Sequence, residues 1–220
     1  MSIVKTVAAV CLLAVATPAL AQDAADAGAS DASVEAATKR MRAYLDSTTT
    51  LKASFRSLLL DERREPLAES VGEMALKRPG RFRWEETAPE NALLVTNGVS
   101  LWNYDPELEQ VVIQEVASLD IANPAQLLGG DADLEKDFQV VGGYRVDDIE
   151  WVDVRPRTNT SDFDIVRFGF RGTSLAMMEF HNKIGQITQY VLEDVIANQP
   201  IDDDRFTFSP PPGTEIVDGS

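Results

Sequence analysis

The chain has 220 residues, of which 36 are acidic and 20 basic, so its formal net charge is −16. A protein this acidic is repelled by phosphate backbones and anionic lipid surfaces, which argues against nucleic acid partners and against firm attachment to a membrane surface. With 44% hydrophobic residues, the chain is long enough to form one domain around a substantial core.

The first 21 residues have the layout of a secretory signal peptide. Lys5 precedes an apolar run that ends near Pro18, and Ala19-Leu20-Ala21 supplies the small residues of a cleavage site. A membrane anchor is the alternative, but the run is too short to span a bilayer. We predict cleavage after Ala21. The single cysteine, Cys11, then leaves with the signal, and the remaining chain has no disulfide.

Residues 22–33 contain no large apolar side chain, which predicts a disordered leader. From Val34 the apolar residues recur with helical spacing, at positions that include Met41, Tyr44 and Leu45, and charged residues lie between them. This pattern predicts an amphipathic helix with a narrow apolar stripe. Such a helix requires an apolar surface on which to pack.

After Leu51 the hydrophobic pattern changes to a period of two, which is typical of strands with one buried face. The short runs, with Asn97-Gly98 as a tight hairpin turn, predict an antiparallel meander. Two interruptions, 123–128 and 131–138, predict short helices, the first with Pro124 at its first helical position. The predicted strands are Ala53 to Leu60, Val71 to Lys77, Arg81 to Glu86, Asn91 to Thr96, Ser100 to Tyr104, Gln110 to Glu115, Ile149 to Arg155, Ile165 to Phe170, Leu175 to His181 and Gln186 to Leu192.

Residue types that carry catalysis are few. Serine-type catalysis needs a histidine base, and His181 is the one histidine; its place in a strand beside a turn favours a structural or surface role. One histidine without cysteine beyond the signal cannot form a zinc site of the usual kind. Asp202-Asp203-Asp204 lacks the spaced loop of a calcium site and predicts a solvated turn or helix start. The sequence therefore predicts no enzyme, no metal and no cofactor. Paired carboxylates stay open as an alternative because acidic residues are numerous, although no pair stands out.

Aromatic and aliphatic residues alternate with polar ones along several predicted strands. Phe82 and Trp84 share one face of their strand, as do Trp102 and Tyr104 of theirs. Val166, Phe168 and Phe170 form a third stripe. An ordinary hydrophobic core explains such stripes equally well on alternation alone.

An ordered series of short motifs runs through the chain from Val34 to Val217. It begins with a strand that ends in Lys77-Arg78-Pro79 and continues with an aromatic strand and a glycine hairpin. The series comprises Lys77-Arg78-Pro79-Gly80, Phe82-Arg83-Trp84-Glu85, Leu94-Val95-Thr96-Asn97-Gly98, Trp102-Asn103-Tyr104-Asp105-Pro106, Glu109-Gln110-Val111, Val154-Arg155-Pro156, Gly185-Gln186 and Phe206-Thr207-Phe208-Ser209-Pro210-Pro211-Pro212-Gly213.

This ordered series resembles the LolA family of periplasmic lipoprotein carriers. The resemblance implies a mainly β protein with helices, an incomplete antiparallel β-barrel of about eleven strands. An N-terminal helix and a helical loop cover it as a lid. The domain layout is then a signal peptide at 1–21, a leader at 22–33 and a single half-barrel at 34–220.

The resemblance also implies function and partners. The protein would be a monomer in the periplasm that accepts acylated lipoproteins from an inner-membrane ABC transporter of the LolCDE type. It would deliver them to an outer-membrane acceptor of the LolB type, where one is present. The alternatives are a half-barrel that binds another lipid and a lipoprotein sensor of the RseB kind.

The resemblance assigns Arg78 as the latch that hydrogen-bonds the lid helices in the closed state. A surface arginine at a strand end is the alternative for this residue. Glu86 follows Phe82 and Trp84 on the same face and therefore predicts the mouth of the cavity rather than its wall. The expected cavity residues are Phe82, Trp84, Leu93, Val95, Trp102, Tyr104, Val166, Phe168 and Phe170, and the expected lid residues are Met41, Tyr44, Leu45, Leu127 and Leu128.

Overall fold

The computed structural model describes residues 30–116, 128–129, 134–159 and 161–219. One helix, α1 (Asp31–Ser47), precedes twelve strands. The strands are β1 (Thr50–Leu60), β2 (Pro66–Lys77), β3 (Arg81–Ala88), β4 (Ala92–Thr96), β5 (Ser100–Asp105), β6 (Gln110–Glu115), β7 (Phe138–Val146), β8 (Ile149–Pro156), β9 (Phe163–Arg171), β10 (Ser174–Asn182), β11 (Ile187–Ala197) and β12 (Glu215–Asp218).

Helix α1 begins earlier than its apolar pattern indicates. Ser30 caps it, because its hydroxyl accepts a hydrogen bond from the Ser33 amide at 3.3 Å. Asp31 adds an acidic side chain to the first turn, which suits the positive end of the helix dipole. Residues 31–33, predicted as part of a disordered leader, are therefore helical. Residues 22–29 of that leader, and the signal segment, lie outside the described residues.

All twelve strands form one sheet, in the order β12-β6-β5-β4-β3-β2-β1-β11-β10-β9-β8-β7. Two antiparallel meanders, β1 to β6 and β7 to β11, join where β1 pairs with β11, and β12 adds a parallel strand beside β6. Strands β7 and β12 are the free edges, so the sheet does not close on itself. The prediction of an incomplete antiparallel barrel is confirmed, with one strand more than expected.

The main error of the secondary-structure prediction is that it omits strand β7. Residues 134–137 form turns and Phe138 begins a strand, so the short helix predicted over 131–138 is wrong in its described part. Gly142-Gly143 interrupts the hydrophobic alternation of this strand, and a register shift between Val140 and Gly142 interrupts it further. Of the helix predicted over 123–128, the structure describes only Leu128, which has helical backbone, as does Gly129.

Helix α1 packs on one face of the sheet, here called the inner face, where it contacts β7 and β8. Gly143 permits this approach, because a Cβ there would lie 2.6 Å from the Ala37 Cβ. The opposite, outer face is partly covered by the segment 199–214, whose Ile201 and Phe206 bury Ala75 of β2. No helix among the described residues is long and apolar enough to cross a membrane.

Candidate functional site

The inner face carries the largest apolar cluster of the protein. Phe168 and Phe170 of β9 are completely buried in it, and Met41 and Tyr44 reach it from α1. The Tyr44 ring lies 5.1 Å from the Phe170 ring. Each strand contributes alternate residues to this face, as a pleated strand requires. The helix therefore covers an apolar surface that would otherwise face water.

Beyond α1, the inner face continues as a track of aromatic rings. Trp84 stacks on Phe55 with 4.1 Å between ring centroids, and Tyr190 meets Trp84 edge-on at 4.7 Å. Phe180 lies 5.3 Å from Tyr190, and Phe163 lies 5.5 Å from Phe180. Except for Phe55, these rings are only partly buried. This aromatic track is thus the more accessible part of the inner face.

Gly72 allows the Phe55 ring to lie across β2. A Cβ at this position would be 2.5 Å from the Phe55 ring and 2.1 Å from the Glu85 carbonyl oxygen. Glu86 lies in register with Gly72, so its carboxylate stands at the border of the aromatic track. Burial raises the pKa of Tyr190, and the Glu86 charge raises it further. The position of Glu86 agrees with its predicted place at the mouth.

Five of the nine predicted cavity residues lie together on the inner face. Phe82, Val166, Phe168 and Phe170 belong to its buried cluster, and Trp84 packs against that cluster. The predicted lid residues also meet there: Met41, Tyr44 and Leu128 are buried and Leu45 packs against them, while Leu127 lies outside the described residues.

The other four predicted cavity residues lie on the outer face. Strand β4 pairs Leu94 with Trp84, so Leu94 shares the inner face and its neighbours Leu93 and Val95 point the other way. Trp102 pairs with Val95 and Tyr104 with Leu93, which places both on the outer face as well. Phe208 of the C-terminal segment covers Tyr104, with 4.9 Å between the ring centroids. The prediction of Leu93, Val95, Trp102 and Tyr104 as cavity wall is wrong because alternation does not fix which face is inner.

Arg78 connects α1 to the segment that contains Leu128. Its Nε donates to the Leu128 carbonyl oxygen at 2.8 Å, and its Nη1 donates to the Leu45 carbonyl oxygen near the end of α1. Burial lowers the pKa of the guanidinium, against the opposing effects of Tyr44 and Asp46. Its hydrogen-bond acceptors are backbone carbonyls rather than carboxylates, so the side chain holds the helix by its C-terminal turn.

Arg40 attaches the middle of α1 to the sheet. Its guanidinium lies 3.9 Å from the centre of the Phe170 ring and donates to the Gly172 carbonyl oxygen at 2.9 Å. It also pairs with Glu150 at 3.4 Å. The sequence pattern did not single out Arg40, because a charged residue between apolar positions of a helix is ordinarily solvent-exposed.

Polar residues of the outer face form a ladder across β8 to β11. The Glu179 carboxylate contacts Arg167 at 3.4 Å and His181 at 3.0 Å, and it accepts a hydrogen bond from Gln189 at 2.7 Å. Arg167 also faces Asp153 at 3.4 Å, and burial raises the pKa of Asp153. His181 is thus held within the sheet surface. Among the described residues, no cluster of histidine, cysteine and acidic side chains is suited to hold a metal ion.

Sequence reasoning missed Phe55, Phe163, Phe180 and Tyr190 as members of the aromatic track. None of them has a second aromatic residue two positions away on the same strand. The four become neighbours only through the pairing of β9, β10, β11 and β1. No local pattern encodes that pairing. A search for single aromatic residues two positions from an aliphatic residue, such as Tyr190 and Leu192, would have found some of them.

Comparison with known proteins identifies the kind of chain that has this arrangement. Residues 46–209 match the family model "Outer membrane lipoprotein carrier protein LolA". The outer-membrane lipoprotein carrier protein of Pseudomonas aeruginosa (strain UCBPP-PA14) is 38% identical over 203 residues, which cover 90% of this chain and 94% of that protein. The protein of the same name from Dechloromonas aromatica (strain RCB) is 35% identical over 181 residues, covering 82% and 87%.

A solved structure supports the fold alone. An uncharacterised conserved protein of Thermus thermophilus superimposes with a TM-score of 0.51 at 14% sequence identity, covering 84% of this chain and 99% of that one.

Proposed function

The chain belongs to the LolA family of outer membrane lipoprotein carrier proteins, and from that premise we propose how its inner face carries cargo. The protein is a lipoprotein carrier, and the acyl chains of its cargo bind between α1 and the inner face. The observation that carries this proposal is the latch at Arg78, which holds a helix over an apolar surface by hydrogen bonds to backbone carbonyls.

The energetic reason for a carrier is the cost of exposing acyl chains to water. Each methylene contributes about 0.8 kcal/mol, so a single sixteen-carbon chain represents on the order of 12 kcal/mol against free passage. The rings of Trp84, Tyr190 and Phe180 offer an apolar surface of matching chemistry that is already partly accessible. No covalent step is needed to lower that cost, so the carrier works without catalysis.

Arg78 acts as the latch between a closed and an open state. In the closed state its two hydrogen bonds fix the C-terminal turn of α1 and the segment at Leu128. Met41 and Leu128 are buried in the same cluster as Phe170, so entering acyl chains must displace them. Breaking the latch accompanies loading, and re-forming it favours release.

The cargo comes from a LolCDE-type transporter in the inner membrane and passes to a LolB-type acceptor in the outer membrane. The protein works as a monomer in the periplasm, after removal of residues 1–21. The strong negative charge of the protein, −16 for the whole chain before cleavage, suits a carrier that must not stay on anionic membrane surfaces.

Tryptophan fluorescence tests the proposed binding face, because the chain has 3 tryptophans. Trp84 lies on the inner face, whereas Trp102 and Trp151 lie on the outer face. A palmitoylated lipopeptide titrated into the full chain should change the emission of a Trp102→Phe, Trp151→Phe variant. The matched Trp84→Phe variant should bind with little change in emission. A signal that stays in the Trp84→Phe variant and is absent from the other would contradict binding at the inner face.

A further inference from the structure

Two hydrogen-bond donors on the inner side of the sheet have no partner. Among the buried side-chain atoms of the described residues, the Tyr44 hydroxyl and the Arg78 Nη2 make no hydrogen bond. The remaining unpaired atoms of this kind, in Asp153 and Arg167, belong to the outer polar ladder. The inner pair is unexpected, because a buried donor without an acceptor costs free energy that an apolar side chain of the same shape avoids.

The two donors belong to one neighbourhood. Arg78 donates to the carbonyl of Leu45, the residue that follows Tyr44, and it is the strongest charge acting on the tyrosine oxygen. Burial raises the pKa of Tyr44 to about 12, although Arg78, Arg40 and the nearby Thr48 hydroxyl oppose the shift. The phenol is therefore neutral at physiological pH and has a proton to donate. The ring itself is only 2% exposed and packs on Phe170.

In the closed protein neither donor has an acceptor in hydrogen-bonding geometry, which defines the chemistry of what would complete them. Arg78 already donates hydrogen bonds to the Leu45 and Leu128 carbonyl oxygens, and its Nη2 has no hydrogen-bond partner. The missing group is an uncharged acceptor oxygen attached to an apolar body, since the surrounding cluster is aliphatic and aromatic. An acyl ester fits this description, because its carbonyl oxygen accepts hydrogen bonds and its chain is apolar.

We propose that Tyr44 and Arg78 form a polar subsite for the ester carbonyl that joins an acyl chain to the glyceryl group of the cargo. The inference rests on the proposed function and adds to it a recognition of the linkage as well as of the chains. The Tyr44 hydroxyl donates one hydrogen bond to the ester oxygen and the Arg78 Nη2 donates a second. Acyl chains thereby acquire a fixed position along the inner face, which apolar contact alone does not provide.

Matched lipopeptides test the subsite. One probe carries two palmitoyl esters on its glyceryl-cysteine, and the other carries two hexadecyl ethers of the same length without carbonyls. Both are titrated into the full chain and its variants and followed by Trp84 emission. A net hydrogen bond corresponds to a preference of about threefold to tenfold, so the wild-type protein should bind the ester more tightly than the ether by that factor.

The Tyr44→Phe variant should lose most of this preference, because it keeps the ring on Phe170 and removes only the hydroxyl. Its thermal unfolding should match or exceed that of the wild-type protein, which would show that folding is intact. Tyr104→Phe is the control, since it removes a hydroxyl from the outer face, away from the Arg78 pair; it should keep the preference.

Equal binding of ester and ether by the wild-type protein, or an undiminished preference in Tyr44→Phe, would overturn the subsite and leave the carrier function standing. Failure of both probes to bind any form of the protein would remove the proposed binding face and the subsite with it.

Discussion

Helix α1 is attached to the sheet in two places that differ in kind. Around Arg40 the attachment is dense: the guanidinium stacks on Phe170, donates to the Gly172 carbonyl and pairs with Glu150, while Ala37 lies close against Gly143. Around Leu45 the attachment depends on the hydrogen bonds of one side chain, Arg78, beside a donor that has no partner.

Under the proposed latch, this difference separates the part of α1 that stays on the sheet from the part that moves. The dense attachment combines interactions that do not depend on one another, so it survives the loss of any one of them. The attachment at Arg78 is removed by moving a single guanidinium. We expect the C-terminal turns of α1 to lift while the turns around Ala37 and Arg40 remain on β7 and β8, and four substitutions can break or sharpen this contrast.

Phe170→Ala should have the largest effect, because the ring supports both Arg40 and Tyr44. Truncation of a completely buried phenylalanine typically lowers the free energy of unfolding by about 3–5 kcal/mol. Urea unfolding followed by circular dichroism measures this loss. Phe208→Ala, on the outer face and partly exposed, is the control and should cost clearly less. Equal losses in the two variants would mean that the inner cluster is not the principal core.

Arg78→Leu should still load cargo through the apolar surface and slow its release at least tenfold. The variant removes two hydrogen bonds from a charged donor, each worth about 1.5–3 kcal/mol, which under the proposed latch stabilise the closed state alone. The measurement is the rate of transfer of a radiolabelled lipoprotein to outer-membrane vesicles. Arg81→Leu, which loses only a long ion pair of 3.8 Å with Asp203, should transfer at the wild-type rate. Wild-type transfer by the Arg78 variant would refute the latch.

Gly143→Ala tests the dense attachment through packing alone. The added Cβ would lie 2.6 Å from the Ala37 Cβ, and overpacking of this kind costs about 1–3 kcal/mol. Thermal unfolding should show the loss, and Ala37→Gly in the same chain should recover part of it by making room. Without that recovery, contact between helix and strand would not be the cause.

Arg40→Met should have the smallest effect, about 1 kcal/mol in unfolding free energy. A cation–π contact and a partly exposed ion pair each contribute modestly, and methionine keeps the apolar stem. Lipoprotein transfer should stay within about twofold of wild type, since the packing at Gly143 still holds this part of the helix. A release defect as large as that of Arg78→Leu would show that both arginines are latches and would erase the contrast.

The sequence predicted the architecture well and the faces of the sheet only in part. Alternation in β3 and β9 identified Phe82, Trp84 and Phe168 as partners, because each stripe is apolar on one side and polar on the other. In β4 and β5 both faces are apolar, one toward Leu94 and Leu101 and the other toward the C-terminal segment, so alternation could not distinguish them. Faces of this kind are decided by long-range pairing.

The contact of Arg78 with the helical segments was predicted from a resemblance, whereas the unpaired hydroxyl of Tyr44 could not be predicted. Helical spacing correctly placed Tyr44 on the buried side of α1. That its hydroxyl has no partner depends on how Arg78, from β2 and its turn, approaches the end of the helix. Similarly, the double glycine in β7 is typical of a loop in sequence. The structure shows that it lies in a strand, where Gly143 makes room for Ala37 of α1.

The seam between β1 and β11 also bears on how the protein reaches its folded state. Each meander is built from neighbouring strands, but the seam joins residues that are roughly 130 positions apart in the chain, and contacts of such high sequence separation form slowly. The two meanders can therefore form before their apolar inner faces are brought together at the seam. A newly synthesised chain would then pass through a stage with that surface open to other proteins, when folding chaperones would matter most.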